Sequence, residues 1–294
     1  MKKGIYIRTV VLCIAMVLFC SAYSKAGTWT TLNFPGADGT TRISGIDGSN
    51  LVGSYDHHGF VYNMTTQNWT TIDMPTAKST LVRGISGNNI VGEYSDSVPW
   101  GPWHSFLYDG TNWTTIPLNT GGGFDNISYG IDGDIIVSFN QIYNIATQSL
   151  TILNYPGADR TMICGIDGSN LVGYYDHHGF VYNMTTQNWT TIDVPGATYT
   201  RIYDIDGSNL VGSSTLNGEK LTDFIYDGTT LHALDLPGSP MGIYGNIIVG
   251  SYTTTVHYDN GVIGIFSHGY VYTIPEPASL LLLALGALIA IRCK

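Results

Sequence analysis

Two short clusters in this sequence carry the side chains that bind metal ions. Both read Asp-His-His, and they comprise Asp56, His57 and His58, and Asp176, His177 and His178. Imidazole and carboxylate groups side by side are ligands for zinc and similar divalent ions. Adjacent residues of a β-strand point to opposite faces of the sheet, however, and two such histidines would chelate poorly. We therefore predict a structural or surface role for both clusters, with no metal and no cofactor; a metal site is the alternative.

Four aspartates that precede a glycine form a second candidate set. They are Asp47, Asp132, Asp167 and Asp206. A calcium loop needs spaced ligands such as D-x-D-x-D-G, and this spacing is absent around them. Asp-Gly is also a strong turn signal. We predict turns at these positions, with calcium binding as the alternative.

A Trp-Gly-Pro-Trp insertion places Trp100 and Trp103 close together. Exposed aromatic rings are platforms for sugar rings, so both are candidate glycan contacts; alternatively, the loop packs its own tryptophans. The sequence contains neither a G-x-S-x-G motif nor a glycine-rich phosphate loop after a strand. We therefore predict no catalytic residues, and an enzyme is the less favoured reading.

The elements that position these residues are repeats. A segment of the form GIDGSNLVG begins at Gly45, Gly84, Gly130, Gly165, Asp204 and Gly242, at intervals of 35 to 46 residues. Elements of the forms FVY and WTTI each occur six times, and the segment before each GI, such as Arg42-Ile43-Ser44, adds a fourth strand. Four short strands in about 40 residues are typical of a propeller blade. In four of the six repeats a histidine stands two residues before the aromatic of FVY; we expect it to be structural, and a bond to a neighbouring blade's backbone is the alternative.

The two ends of the repeat region complement each other. The first WTTL strand, at Trp29, lacks an FVY partner, and the last FVY-like strand, at Tyr270, lacks a WTTI partner. Pairing them would complete a sixth blade and hide the sheet edges. We predict an all-β fold for residues 27–273: a six-bladed β-propeller closed by its N- and C-terminal strands. An open β-solenoid is the alternative.

The repeats resemble a known class. A GI-x-G-x-x-VG element followed by His-small-Phe-x-Tyr, as at His58-Gly59-Phe60 and His178-Gly179-Phe180, is similar to the HAF-type repeats of bacterial surface proteins. The resemblance implies an extracellular propeller-like fold and brings no catalytic residues. Residues 45–75 and 165–195 differ at two positions only, so a three-blade half has been duplicated.

Both ends of the chain are read as targeting segments. Residues 1–26 combine a basic start, an apolar run and small residues before Gly27, which is typical of a secretory signal peptide. A lipoprotein signal at Cys20 and an uncleaved membrane anchor are the alternatives. Residues 274–294 contain Pro275-Glu276-Pro277, a 14-residue apolar run and a basic tip.

This order of features resembles the PEP-CTERM sorting signal. The resemblance implies a Gram-negative bacterium, an exosortase-type processing enzyme, and delivery to the cell envelope or extracellular matrix. It also implies contact with the membrane through a short C-terminal apolar helix before processing, and association with exopolysaccharide or envelope proteins.

Composition narrows the function classes. The formal net charge is -10, which argues against nucleic acid because phosphate binding needs a basic face. Three classes remain: a non-enzymatic surface protein that binds glycan or protein, a propeller enzyme such as a glycan lyase or hydrolase, and a purely structural envelope component. The sorting signal favours the first and the third.

Overall fold

Tight turns and short β-branched runs build six antiparallel sheets of four strands each. The computed structural model describes residues 27–97, 101–118, 129–215, 222–258 and 263–275. Within these ranges the chain forms strands and turns without any helix, and so without a helix that could cross a membrane. The predicted signal peptide and C-terminal apolar helix lie outside the described residues.

The strands follow the chain blade by blade. Blade 1 contains β2 (Thr41–Asp47), β3 (Asn50–Tyr55), β4 (His58–Asn63) and β5 (Asn68–Ile72). Blade 2 contains β6 (Ser79–Ser86), β7 (Asn89–Ser95), β8 (Trp103–Tyr108) and β9 (Trp113–Ile116). Blade 3 contains β10 (Tyr129–Asp132), β11 (Ile135–Ser138), β12 (Gln141–Asn144) and β13 (Ser149–Ile152).

The second half of the chain repeats this arrangement. Blade 4 contains β14 (Thr161–Asp167), β15 (Asn170–Tyr175), β16 (His178–Asn183) and β17 (Asn188–Ile192). Blade 5 contains β18 (Tyr199–Asp206), β19 (Asn209–Thr215), β20 (Thr222–Tyr226) and β21 (Leu231–Leu234). Blade 6 contains β22 (Pro240–Tyr244), β23 (Ile247–His257), β24 (Ile263–Thr273) and the N-terminal strand β1 (Thr28–Leu32).

The sixth blade confirms the predicted closure of the ring. Its strand order is β22, β23, β24 and then β1, so the first strand of the described chain forms the outer edge of the last sheet. The six-bladed all-β propeller is therefore confirmed. Trp29–Tyr272 forms one compact unit; the other unit consists of the two chain ends, most of which lie outside the described residues.

One detail of the strand prediction is wrong. Arg42-Ile43-Ser44 is the first half of β2 and does not form a strand separate from Gly45-Ile46-Asp47. A β-bulge between Ile43 and Gly45 joins the two halves, and GIDGSNLVG spans the hairpin between β2 and β3. The glycine after Val52 is required here, because a Cβ on Gly53 would overlap the carbonyl oxygen of Arg42.

The core lies between neighbouring sheets. The third strand of five blades contributes a fully buried aromatic ring: Phe60, Phe106, Phe180, Phe224 and Tyr270. In the third blade Gln141 takes this place opposite Ser138, and both are buried. The degenerate repeat seen in the sequence thus replaces an aromatic contact by a polar pair.

The antiparallel topology gives the propeller two distinct faces. We call the end with the Asp-Gly hairpins, such as Asp47-Gly48, the turn face. The opposite end, where inner strands such as β2 begin, is the loop face. Every connection of more than four residues between consecutive strands belongs to the loop face, and the four longest are 33–40, 96–102, 117–128 and 153–160. Both β1 at its start and β24 at its end reach the turn face, because β24 runs parallel to β22.

Candidate functional site

The Asp-His-His clusters lie on the loop face. The prediction that they bind no metal placed all three residues on a strand, whereas only the last histidine of each cluster lies on one. Asp56 and His57 form the two-residue turn between β3 and β4, with Asp56 at φ 48°. The Asp56 carboxylate accepts hydrogen bonds from the Thr40 hydroxyl (3.0 Å) and the Asp38 N–H (3.1 Å), so it organises the neighbouring loop. His58 begins β4, and its Nδ1 lies 2.7 Å from Asp73 Oδ2.

The second cluster repeats this geometry. His178 Nδ1 lies 2.7 Å from Asp193 Oδ2, and Asp176 accepts a hydrogen bond from the Arg160 N–H at 3.1 Å. The exposed ring of His177 contacts Tyr199, with 4.2 Å between the ring centroids. No group of three His, Cys, Asp or Glu side chains across the described ranges is arranged to hold a metal ion.

The histidines before the aromatic residue of FVY contact side chains of their own blade. In blade 1, His58 packs on Tyr55 (5.3 Å between centroids), and the Tyr55 hydroxyl bonds Thr71 at 2.9 Å. In blade 6, His268 Nδ1 bonds Asn33 Nδ2 at 3.1 Å. These side chains tie the outer strand to the sheet, including the strand that closes the ring.

The aspartates of the Asp-Gly turns connect neighbouring blades, a role that the sequence prediction missed. In each case the carboxylate accepts a hydrogen bond from the N–H of the turn glycine of the next blade. The pairs are Asp47 with Gly87 (2.6 Å), and Asp132 with Gly168, Asp167 with Gly207 and Asp206 with Gly245 (each 2.7 Å). Ser86 bonds Gly133 at 3.2 Å in the same way. The sixth position is Tyr244, which carries no carboxylate.

A narrow channel runs between the inner strands and encloses about 120 Å³ near the turn face. Residues of all six blades line it, among them Arg83, Cys164 and Asp204. Asp204 replaces the glycine of the GI motif, and its Oδ2 accepts a hydrogen bond from the Ile243 N–H at 2.9 Å. Burial in the channel raises the pKa of the Asp204 carboxyl to about 7, and the nearby Asp206 and Asp167 add to this effect.

A larger cavity of about 370 Å³ lies between blade 6 and blade 1, towards the loop face; we call it the seam cavity. Its lining comprises two arginines, six residues that carry a hydroxyl group and two apolar residues. The lining residues are Arg42, Ile43, Ser44, Arg83, Ser239, Met241, Ser251, Tyr252, Thr253 and Ser267. Such a surface is suited to a polar ligand that carries hydroxyl groups.

Two lining residues are held by contacts at the seam. The Ser251 hydroxyl accepts a hydrogen bond from the Ile43 N–H (2.9 Å) and donates to the Ile43 carbonyl oxygen (3.3 Å), which links blade 6 to blade 1. Arg83 is 3% exposed and lies 3.5 Å from the fully buried Glu93. Arg83 is therefore held in place and its charge is largely offset.

The sequence prediction did not find the seam cavity. Arg42 and Ser251 are 209 positions apart in the sequence, and only ring closure brings them together. One signal was available: when the repeats are aligned, Arg42 and Arg83 both fall on inner strands beside the GI motif.

Only one of the two predicted glycan contacts lies among the described residues. Trp103 is the first residue of β8, half buried on the loop face, whereas Trp100 lies outside the described residues. Trp103 does not line the seam cavity. Of the predicted processing motif, Pro275 is the last described residue, and Glu276 and Pro277 lie beyond it.

Comparison with known proteins identifies the C-terminal segment. Residues 273–294 match the family described as the PEP-CTERM protein-sorting motif. This motif is a substrate signal for exosortase processing, and it implies export to the cell envelope of a Gram-negative bacterium. No curated protein matches the chain in sequence.

Solved structures show only a weak likeness. U3-55K is 10% identical with a TM-score of 0.43, and the match covers 84% of each chain. The tricorn protease is 14% identical with a TM-score of 0.43, and the match covers 78% of this chain and 29% of the protease. The activities of these proteins are not transferred to this chain.

Proposed function

We propose that this protein is a non-enzymatic binding component of the cell surface or extracellular matrix that associates with exopolysaccharide. Residues 1–26 would direct export, residues 27–273 would form the binding propeller, and residues 274–294 would direct sorting. The observation that carries the binding role is the seam cavity, since its volume of about 370 Å³ is in the usual range for small-ligand sites.

The chemistry of the seam cavity supports a carbohydrate ligand. A sugar presents hydroxyl groups that both donate and accept hydrogen bonds, and Ser, Thr and Tyr hydroxyls meet them in either role. The ring of Tyr252 is held beside Trp29 (5.7 Å between centroids) and His268 (5.1 Å), which fixes an aromatic wall. Positioned groups of this kind lose little entropy on binding.

The position of the cavity supports a role on the cell surface. β24 ends at the turn face, so the chain continues towards the sorting motif from there. The seam cavity opens towards the loop face, where the longest connections between strands also lie. A propeller tethered on the turn face would leave this face accessible to extracellular polymer, and loops at such faces commonly carry binding function.

The glycan lyase or hydrolase alternative has less support. Hydrolysis of a glycosidic bond typically requires two carboxyl groups that flank it. Among the described residues, no Asp, Glu or His side chain lines the seam cavity. The alternative remains open to a direct test, because turnover of a bound oligosaccharide would reveal it.

A glycan-binding assay with two matched variants tests the proposal. Thr253→Tyr would fill part of the seam cavity, whereas Thr255→Tyr places the same ring two residues further along β23, on the same strand face but outside the cavity. The full-length protein should bind isolated exopolysaccharide saturably and without turnover. Thr253→Tyr should lose this binding and Thr255→Tyr should keep it; equal binding by both variants, or none by the wild type, would refute the proposal.

The processing step has its own test. Mass spectrometry of the surface-exposed protein should find a species that lacks Ala278 to Lys294. Recovery of only the full-length chain from the cytoplasm would contradict both export and processing.

A further inference from the structure

The second and third strands of blade 6 are longer than those of the other blades. β23 and β24 contain 11 residues each, whereas the corresponding strands of blades 1 to 5 contain 4 to 7. β22 pairs with β23 only as far as Gly250, so the two long strands continue past β22 at the loop face. We call the described part of this extension, residues 251–258 and 263–266, the blade 6 hairpin.

The surface of the blade 6 hairpin is apolar and uncharged. Nine large hydrophobic side chains are exposed among the described residues, and four of them belong to this hairpin: Val256, Tyr258, Ile263 and Ile265. The last two are 57% and 69% exposed, the highest values of the nine. No Asp, Glu, Lys or Arg occurs at 251–258 or 263–266, although the chain has a formal net charge of -10. Copies of an acidic protein repel one another, so an uncharged apolar surface is where two copies can meet.

The outer edge of β24 is open along this hairpin. β1 ends at Leu32 beside Gly269, since a Cβ on Gly269 would lie 2.7 Å from the Leu32 carbonyl oxygen. Further towards the loop face, the Ser267 N–H donates to the Gly39 carbonyl oxygen at 3.0 Å. Within the part of the chain that the structure describes, no other strand or bridge pairs with 263–266 from this side.

The Ser267 bond shows which backbone groups face the open edge. Alternate residues of an extended strand direct their N–H and C=O groups to the same side. Because Ser267 donates outward, Ile265 and Ile263 also direct both groups outward. Unpaired backbone groups in a row are a template for a strand of another chain.

The sequence around Gly264 matches a second copy of the same strand. Ile-Gly-Ile reads the same in both directions, so a two-fold axis at Gly264 places Ile263 of each copy opposite Ile265 of the other. In both pairs the facing residues are able to exchange two backbone hydrogen bonds. Residues 263 and 265 also share one face of the strand, so the four isoleucines of the two copies pack side by side.

We propose that the open edge of β24 at 263–265 is a self-association site, where two copies pair antiparallel about Gly264. Stable specific interfaces bury about 1,200 Å² or more, and three paired residues bury much less. The dissociation constant of the dimer should therefore be about 0.1–1 mM. This contact goes beyond ligand binding at the seam cavity and does not depend on it.

The antiparallel pairing has a consequence for the orientation of the two copies. β24 runs in opposite directions in the two propellers, so their turn faces, where β24 ends, lie at opposite ends of the dimer. The contact therefore suits copies held on facing surfaces or free in a matrix, and many weak contacts of this kind add up when copies are dense.

Sedimentation equilibrium of the full-length protein in a mild detergent, from about 5 μM to 1 mM, tests the proposal. The mass of the wild type should rise with concentration towards that of a dimer. Ile265→Pro removes an outward N–H and keeps the bonds to β23, because proline is tolerated at a sheet edge. It should raise the dissociation constant about tenfold or more, since the dimer loses two hydrogen bonds.

Ile152→Pro is the matched control. Ile152 is a 52% exposed isoleucine of β13, the outer strand of blade 3. The next N–H, of Leu153, bonds the Asn140 carbonyl oxygen at 2.8 Å, so the N–H of Ile152 points outward as that of Ile265 does. This variant should associate as the wild type does. A constant monomer mass in the wild type, no effect of Ile265→Pro, or an equal loss in both variants overturns the proposal.

Cysteine pairing tests the register without a disruptive substitution. Ile263→Cys mixed with Ile265→Cys should form a disulfide-linked dimer about fivefold or more faster than either variant alone, under mild oxidation with oxidised glutathione. The mixed positions lie directly opposite each other, whereas identical positions lie on the diagonal at about 7–8 Å, beyond the reach of a disulfide. The wild type measures the background from the four native cysteines. Equal rates in the mixture and the single variants, or no linked dimer above this background, overturn pairing about Gly264.

Discussion

Replacing Tyr244 by aspartate should complete the ring of hydrogen bonds between blades. Five of the six junctions on the turn face carry a bond from a turn glycine to Asp or Ser of the preceding blade, and Tyr244 occupies the sixth position. The inner strands approach equally closely here: a Cβ on Gly242 would lie 3.3 Å from Gly45 Cα, against 3.4 Å from Gly45 to Gly84 Cα. A carboxylate at 244 should therefore reach the N–H of Gly48.

The expected gain is small but measurable. A hydrogen bond to a charged acceptor contributes about 1.5–3 kcal/mol. The contribution of the new hydrogen bond should be smaller here, because these bonds are exposed to solvent and the new carboxylate would lie near Asp47 and Asp206. Tyr244 is 44% exposed, so its removal loses little packing. We expect a net gain of about 1 kcal/mol, or about 2–4 °C in Tm for a domain of this size.

Thermal unfolding at neutral pH, followed by circular dichroism, measures this gain. Tyr244→Asn adds an acceptor without charge and should give part of the increase, whereas Tyr244→Ala adds no acceptor and should give none. Asp47→Ala removes an existing bond and should lower Tm by a similar amount. If Tyr244→Ala raised Tm as much as Tyr244→Asp, the hydrogen-bond reasoning would be refuted.

Three further predictions concern the channel, the bulge and the histidine cluster. Asp204→Asn should raise stability at pH 8 by up to about 4 kcal/mol, because the folded state raises the pKa of this carboxyl from 3.8 to about 7. Wild-type stability should therefore fall as the pH rises between these values, and pH-dependent denaturation of the variant should not show this fall. Gly53→Ala should lower the free energy of unfolding, measured in urea, by about 3 kcal/mol because its Cβ would overlap a carbonyl oxygen. Gly48→Ala, at φ +56° in open space, should lower it by about 1 kcal/mol. Equal losses in the two variants would contradict this account of the repeat. His57→Ser should change stability by less than about 1 kcal/mol, and a chelator-sensitive Tm that disappears in the His57→Ser, His177→Ser double variant would show that the cluster binds a metal.

The number of blades and the closure of the ring were predictable because they depend on local patterns. Each strand has its own hydrophobic and aromatic pattern, and each hairpin has its Asp-Gly or Asn turn. The strands at Trp29 and Tyr270 each lack a partner within their own repeat, which predicts that they pair with each other. The boundary between strands was less predictable, since a β-bulge at Ser44 lets a single strand continue through a segment that looks like two.

The bonds between blades and the seam cavity could not be predicted in the same way. The Asp-Gly pair looks the same in the sequence whether the carboxylate bonds its own turn or the next blade. The distance between neighbouring inner strands determines which of the two bonds forms. Likewise, Asp56 and His57 looked like strand residues, but the two-residue turn at that position uses a left-handed conformation at Asp56. Nothing in the local sequence of Ser251 or Ser267 indicates that they face Arg42.

The composite sixth blade has a consequence for the order of folding. β1 is the first strand of the propeller in the chain and its partner β24 is the last; 231 positions separate Leu32, the last residue of β1, from Ile263, the first residue of β24. Such a non-local contact has a high entropic cost, and topologies dominated by such contacts fold slowly. Blades 1 to 5 have all their strands in sequence, so each is able to form as its own segment emerges, while β1 stays unpaired until β24 arrives. Ring closure therefore completes only when synthesis has reached the segment just before the sorting motif, and the seam is the last part of the propeller to form.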